Sequence, residues 1–162
     1  MHLAAAAAFA LALTTGACRA DGMAVYAPSG IALAGYDTVA YFTDRQARPG
    51  DPEYGVRWRG AMWFFVSDEH MERFEMDPTS FLPQYGGFCA YAAARGEIRA
   101  ADPTAFALRD GKLYLVHDLA DLGLWTADAD RLVPRADAIW PSIAPRRDHI
   151  RATPTFTQPS QP

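Results

Sequence analysis

The sequence predicts a small single-domain α+β protein with short β-hairpins, a strand–helix core and short C-terminal helices. Three stretches carry that reading. "VRWRGAMWFFVS" (56–67) sets strand-favouring Trp, Phe and Val on either side of Arg59-Gly60. "FALRDGKLYLVH" (106–117) alternates apolar residues around Asp110-Gly111, a pair suited to a type I′ turn. "SDEHMERFEM" (67–76) reads as a helix: Ser67 can cap it, and Asp68 and Glu69 favour the positive end of its dipole.

The other elements follow in chain order. Residues 21–33 read as a loose lead-in strand, and "AGYDTVAYF" (34–42) opens the ordered domain, which runs to residue 143. Residues 43–55 are polar with Pro and Gly and read as a loop. "DTVAY" (37–41), "DPTSF" (77–81) and "DPTAF" (102–106) each place Asp four residues before an aromatic, which predicts three short Asp-capped helical corners. Their unequal spacing does not suggest a solenoid repeat. Gly86 and Gly87 allow either a close backbone approach to a ligand or a break before a strand over residues 88–92. Residues 118–140 predict one or two short helices packed through Leu119, Leu122, Trp125, Leu132 and Ile139. From residue 144 the chain is rich in Pro, Arg, Thr, Ser and Gln, and a disordered tail (144–162) is expected.

Half of the 162 residues are apolar and the net charge is −4, which gives no electrostatic reason to expect nucleic acid. No segment is long and apolar enough to span a bilayer. Residues 3–13 are an unbroken run of Leu, Ala and Phe that fits a signal-peptide core, so residues 1–20 are expected to direct export and be removed. The expected location is periplasmic or secreted. The alternative is a lipoprotein anchored through Cys18, since "TGAC" resembles a lipoprotein box. Cleavage after Ala20 removes Arg19 and leaves Cys89 as the sole thiol, which cannot form an internal disulfide.

"GYDTVAYF", "MWFFVSDEHMERFEMDPTSFLPQYGGFCAYA", "DPTAFALRDGKLYLVH" and "ADAIWPSI" together resemble the exported bacterial YHS-domain proteins over most of residues 31–143. The strand, helix and DPxxF stretch (58–81) is similar to the YHS module itself, a small fold related to treble clefs. Two positions depart from the pattern: Thr38 stands where Pro follows the first Asp, and His70 stands where many such helices carry Cys. The resemblance implies heavy-metal binding, copper above all, and no established enzymatic activity. Some members are selenoproteins; a selenocysteine in "GGFC" would imply thiol or selenol chemistry at Cys89.

The residues leave three roles open for Cys89: a core residue, a metal ligand or a redox thiol. His70 reads as a capping or core residue or as a ligand, on the same helix face as Phe74. Met71 and His117 are the candidates to complete a low-coordinate site, since thioether and thiolate suit Cu(I). Met62 and Met76 are weaker candidates, and His149 belongs to the expected tail. The chain has no CxxC, HExxH, GxSxG, phosphate loop or dinucleotide fingerprint. The expected function is an exported domain that binds a soft metal through Cys89. The alternatives are a redox protein using the same thiol and a non-catalytic interaction domain with an envelope protein partner.

Overall fold

The computed structural model describes residues 24–145. The expected signal peptide, Cys18, His149 and all but the first two residues of the expected tail lie outside them. Two 3-10 turns, Pro28–Gly30 and Ala32–Gly35, lead to helix α1 (Ala40–Thr43). Strands β1 (Asp51–Trp58) and β2 (Ala61–Phe65) pair antiparallel and feed α2 (Asp68–Met76), whose Ser67 side chain caps the His70 amide. Asp77 caps a 3-10 turn over Pro78–Phe81, as its sequence predicts. A further 3-10 turn, Gln84–Gly87, precedes α3 (Ala90–Ala93). Strands β3 (Asp102–Arg109) and β4 (Lys112–Val116) form a second antiparallel hairpin through Asp110-Gly111, both with positive φ. Two helices close the domain: α4 (Leu119–Ala127), capped by Asp118, and α5 (Ala129–Ile143). This is a small single-domain α+β arrangement with two two-stranded sheets.

The chain builds one unit twice. Asp51 pairs with Phe65 and Trp58 with Ala61; 51 positions later Asp102 pairs with Val116 and Arg109 with Lys112. Both hairpins carry their register shift at the same place, after Asp51 and after Asp102. Each carboxylate accepts the amide two residues on, from Glu53 at 2.9 Å and Thr104 at 2.8 Å, and this Asx turn bends the strand entry. The lead-in matches too. Ile31 bridges Met62 and Pro83 bridges Leu113, both in parallel. Leu33-Ala34 and Tyr85-Gly86 are both left-handed pairs followed by a positive-φ glycine. The turns that open α1 and α3 obey the same correspondence: Asp37 Oδ1 accepts the Ala40 amide and Cys89 Sγ the Ala92 amide, each three residues on.

Strand β4 joins the two halves energetically. Its residues alternate sides: Leu113 and Leu115 enter a core with Trp63, Phe65, Phe74 and Leu33, whereas Tyr114 and Val116 enter a second core with Cys89, Trp125, Ala136 and Trp140. Burial on both faces explains why "KLYLV" is apolar without a break after Lys112. The Tyr41 hydroxyl donates to the Pro103 carbonyl at 2.8 Å, a second tie across the halves. Alanines at 90, 92, 93 and 94 are buried, so α3 approaches its neighbours closely.

Five expectations change. "DPTAF" is not a helical corner but the bulged start of β3, because the Asp102 carboxylate makes an Asx turn and the chain then pairs with β4. Residues 51–55 belong to β1 rather than to a loop. The stretch after Gly87 contains helix α3 instead of a strand, since Cys89 caps it and alanine favours helix. The lead-in contains 3-10 turns, and Ala24, Val25, Ala32 and Leu33 are buried in the body of the domain. Leu119 does not pack inward; it is 70% exposed at the start of α4.

Gly86 tests the close fit of the lead-in. It has φ +64, and a Cβ there would stand 2.2 Å from the Ala24 carbonyl oxygen. Gly111 has a similar φ, +71, with nothing within 4 Å. Denaturant titration should show Gly111→Ala costing about 1 kcal/mol. Gly86→Ala should cost about 2 kcal/mol more than that. Equal losses would mean that the lead-in is not packed against Gly86.

Candidate functional site

Two polar centres stand at corresponding places in the two halves. In the first, Asp37 is fully buried at the start of α1. Its Oδ1 accepts the amides of Val39 at 2.7 Å and Ala40 at 3.2 Å. Its Oδ2 accepts the Val66 amide at 2.9 Å and meets His70 Nδ1 at 2.6 Å. A carboxylate only accepts, so Nδ1 carries the shared hydrogen and Nε2 is left for other uses. That atom lies 3.4 Å from Thr43 Oγ1. His70 is inward on the Phe74 face, as its spacing predicts, and its nearest polar chemistry is Asp37.

In the second half Cys89 takes the place of Asp37. Its amide donates to the Arg99 carbonyl at 3.0 Å, as the Asp37 amide donates to the Arg48 carbonyl at 2.9 Å. Its Sγ accepts the Ala92 amide at 3.4 Å and lies 3.9 Å from Asp121 Oδ2. Asp121 stands 51 positions after His70, in the corresponding turn of α4. Arg99 Nη1 donates to the same Oδ2 at 3.3 Å. Cys89 has no exposed surface. Burial pushes the thiol pKa above its ordinary value; the backbone hydrogen bonds of Ala92, His117 and Tyr91 act against that shift, and the Asp121 charge adds to it.

The structure does not assemble Cys89, His70, Met71 and His117 into one ligand set. Cys89 packs in the second core, and Met71 packs against the first. His70 is bound to Asp37. His117 Nδ1 donates to the Ala100 carbonyl at 2.9 Å, with the ring at the surface. Met62 is half-buried on β2, and Met76 is 78% exposed at the end of α2. Among the described residues no group of three His, Cys, Asp or Glu side chains could hold a metal ion. The side chain hydrogen-bonded to Sγ is the Asp121 carboxylate, itself paired with Arg99.

The sequence gives Asp37 a capping role, with a metal role as the minor alternative, and does not single out Asp121. A capping aspartate and one that also binds a distant histidine look alike in sequence. The usable signal is the 51-residue offset, which sets His70 and Asp121 at one position of the unit. Removing one partner from a buried, hydrogen-bonded pair leaves the other uncompensated, at a cost of about 3–5 kcal/mol. Asp37→Ala should therefore lower stability by that amount in denaturant titration. Loss of a weaker sulfur cap in Cys89→Ala should cost about 1 kcal/mol plus a small cavity term. A milder loss at Asp37 than at Cys89 would contradict the assignment of the two centres. No protein-family model, curated protein or solved structure matches the chain.

Proposed function

We propose that this chain is an exported, non-enzymatic interaction domain. The observation that carries the reading is the enclosure of the Cys89 sulfur, which is fully buried and engaged as a helix cap. A redox or nucleophilic thiol requires a lowered pKa and access; burial moves this thiol the other way. The Asp37 oxygens are likewise saturated by three amides and His70. Both polar centres hold helices in place. The outer side of α4 suits contact with another surface: Leu119 and Leu124 are 70% and 55% exposed, and Asp121 is the helix's single charged residue. The resemblance to exported YHS-domain proteins supports an envelope location and a binding role.

Two measurements separate this reading from capture of a soft metal at Cys89. Iodoacetamide should alkylate the native protein at neutral pH at least about 100-fold more slowly than the urea-unfolded chain, because reaction requires both opening and ionisation. Competition against a chromogenic Cu(I) chelator should give the same result for wild type and Cys89→Ser. Stoichiometric Cu(I) uptake that Cys89→Ser abolishes would overturn the proposal in favour of the metal. Fast native alkylation would overturn it in favour of redox chemistry.

The thiol also sets a pH dependence. A folded-state pKa above the unfolded one contributes stability that is complete below the unfolded pKa and is lost as pH rises through the folded one. Between pH 7 and pH 10, wild type should lose stability relative to Cys89→Ala. Parallel profiles would mean that the buried thiol ionises as readily as a free one.

A further inference from the structure

A cleft of about 200 Å³ opens between the first hairpin turn and the lead-in segment. Its lining residues include the aliphatic Val25, Leu82 and Pro83 and the polar Arg59, Thr79 and Gln84. We propose that this cleft binds a carboxylate carried on a short aliphatic body, with Arg59 as the recognising cation.

Arg59 is unlike the other arginines of the domain. Arg48, Arg73, Arg95, Arg99, Arg109 and Arg131 each pair with an acid. Arg45, Arg57 and Arg135 have no acid but are exposed to solvent. Arg59 is half-buried and has no acidic partner among the described residues. Its guanidinium carbon stacks 4.5 Å from the centre of the Trp58 ring, which orients the planar fork. A half-buried cation held in this way can pair with an anion that reaches it, and a planar guanidinium matches a carboxylate in two parallel hydrogen bonds.

The backbone adds an independent sign. Arg59 has φ +47 at the first position of its hairpin turn. Asp110 takes that place in the second hairpin, with φ +50. Aspartate and asparagine tolerate this conformation, and a long side chain pays a steric penalty in it. Tyr85, which also lines the cleft, has φ +54. Strained positions of this kind cluster at ligand sites.

The lining fixes the class of ligand. Among the described residues no acidic side chain lines the cleft to neutralise Arg59. The Gln84 side chain has no partner among the described residues, so its amide can donate to a second ligand oxygen. The Thr79 hydroxyl already donates to Asp77 Oδ1, so its oxygen is left as an acceptor. One cation and one free amide over aliphatic walls match an amphiphilic acid better than a phosphate, which would call for several cations. Such a group comes from a free short-chain acid or from the C-terminus of a peptide with an aliphatic last residue.

The test is an NMR titration of the intact protein with hexanoate, hexanamide, sulfate and acetyl-valyl-leucine. Shifts of the Arg59 Nε–H and Gln84 side-chain amide resonances are the readout. Hexanoate should saturate both, and hexanamide should bind roughly ten-fold more weakly for want of the ion pair. Acetyl-valyl-leucine binding more tightly than hexanoate would identify a chain terminus as the source; the reverse order would identify a free acid. Arg59→Asn suits the turn better, so it should fold at least as stably as wild type while weakening hexanoate roughly ten-fold. The proposal is overturned if hexanamide matches hexanoate, if sulfate outcompetes it, or if Arg59→Asn binds it unchanged.

Discussion

A single buried carboxylate organises the first half of this domain. Asp37 stops the chain after the lead-in, starts α1, receives the amide at the end of β2 and binds the imidazole of α2. Four donors converge on the two oxygens of a side chain that has no exposed surface. Such a charge is tolerated in an interior only when its hydrogen-bonding capacity is filled. The positions of α1, β2 and α2 relative to one another are therefore coupled through one side chain. Thr38, its neighbour, donates to the Phe81 carbonyl and extends that coupling to the Asp77-capped turn.

The second half uses the same frame with a weaker centre. Sulfur accepts the Ala92 amide and lies beside a carboxylate that Arg99 holds at the rim. Its stability comes instead from apolar packing: Trp125 lies against Tyr114 with ring centroids 4.7 Å apart, and Trp140 packs on Tyr85 and Phe88. Strand β4 divides its side chains between this core and the first. Neither half buries its hydrophobic face alone, so the two are expected to fold as one cooperative unit.

Much of this was legible locally. Ser67 and Asp77 as caps, the Asp110-Gly111 turn and the inward His70–Phe74 face all depend on neighbours within one or two turns. The failures share a cause. "DPTSF" and "DPTAF" are near-identical pentapeptides with different structures: the first follows a helix and stays a 3-10 turn, whereas the second is drawn into pairing by β4. Tertiary partners decided between two local minima that sequence could not separate. The candidate site failed for a related reason. Cys89 and His70 are 19 positions apart in sequence but belong to opposite halves of a repeated unit, and little sequence identity survives between those halves to reveal it. The Asp37–His70 contact joins residues 33 positions apart, a pairing that no short motif encodes.

Function follows from where polarity is satisfied and where it is not. The thiol and the buried carboxylate are closed in on themselves, while the outer side of α4 and the Arg59 cleft face outward. The frame of the first half, which the rest of the domain packs against, rests on Asp37 and His70 acting as one structural tie. A double-mutant cycle on stability with Asp37→Ala and His70→Ala tests it most directly. A coupling energy of about 1 kcal/mol or more is expected; strictly additive losses would show that the imidazole and the carboxylate do not act together.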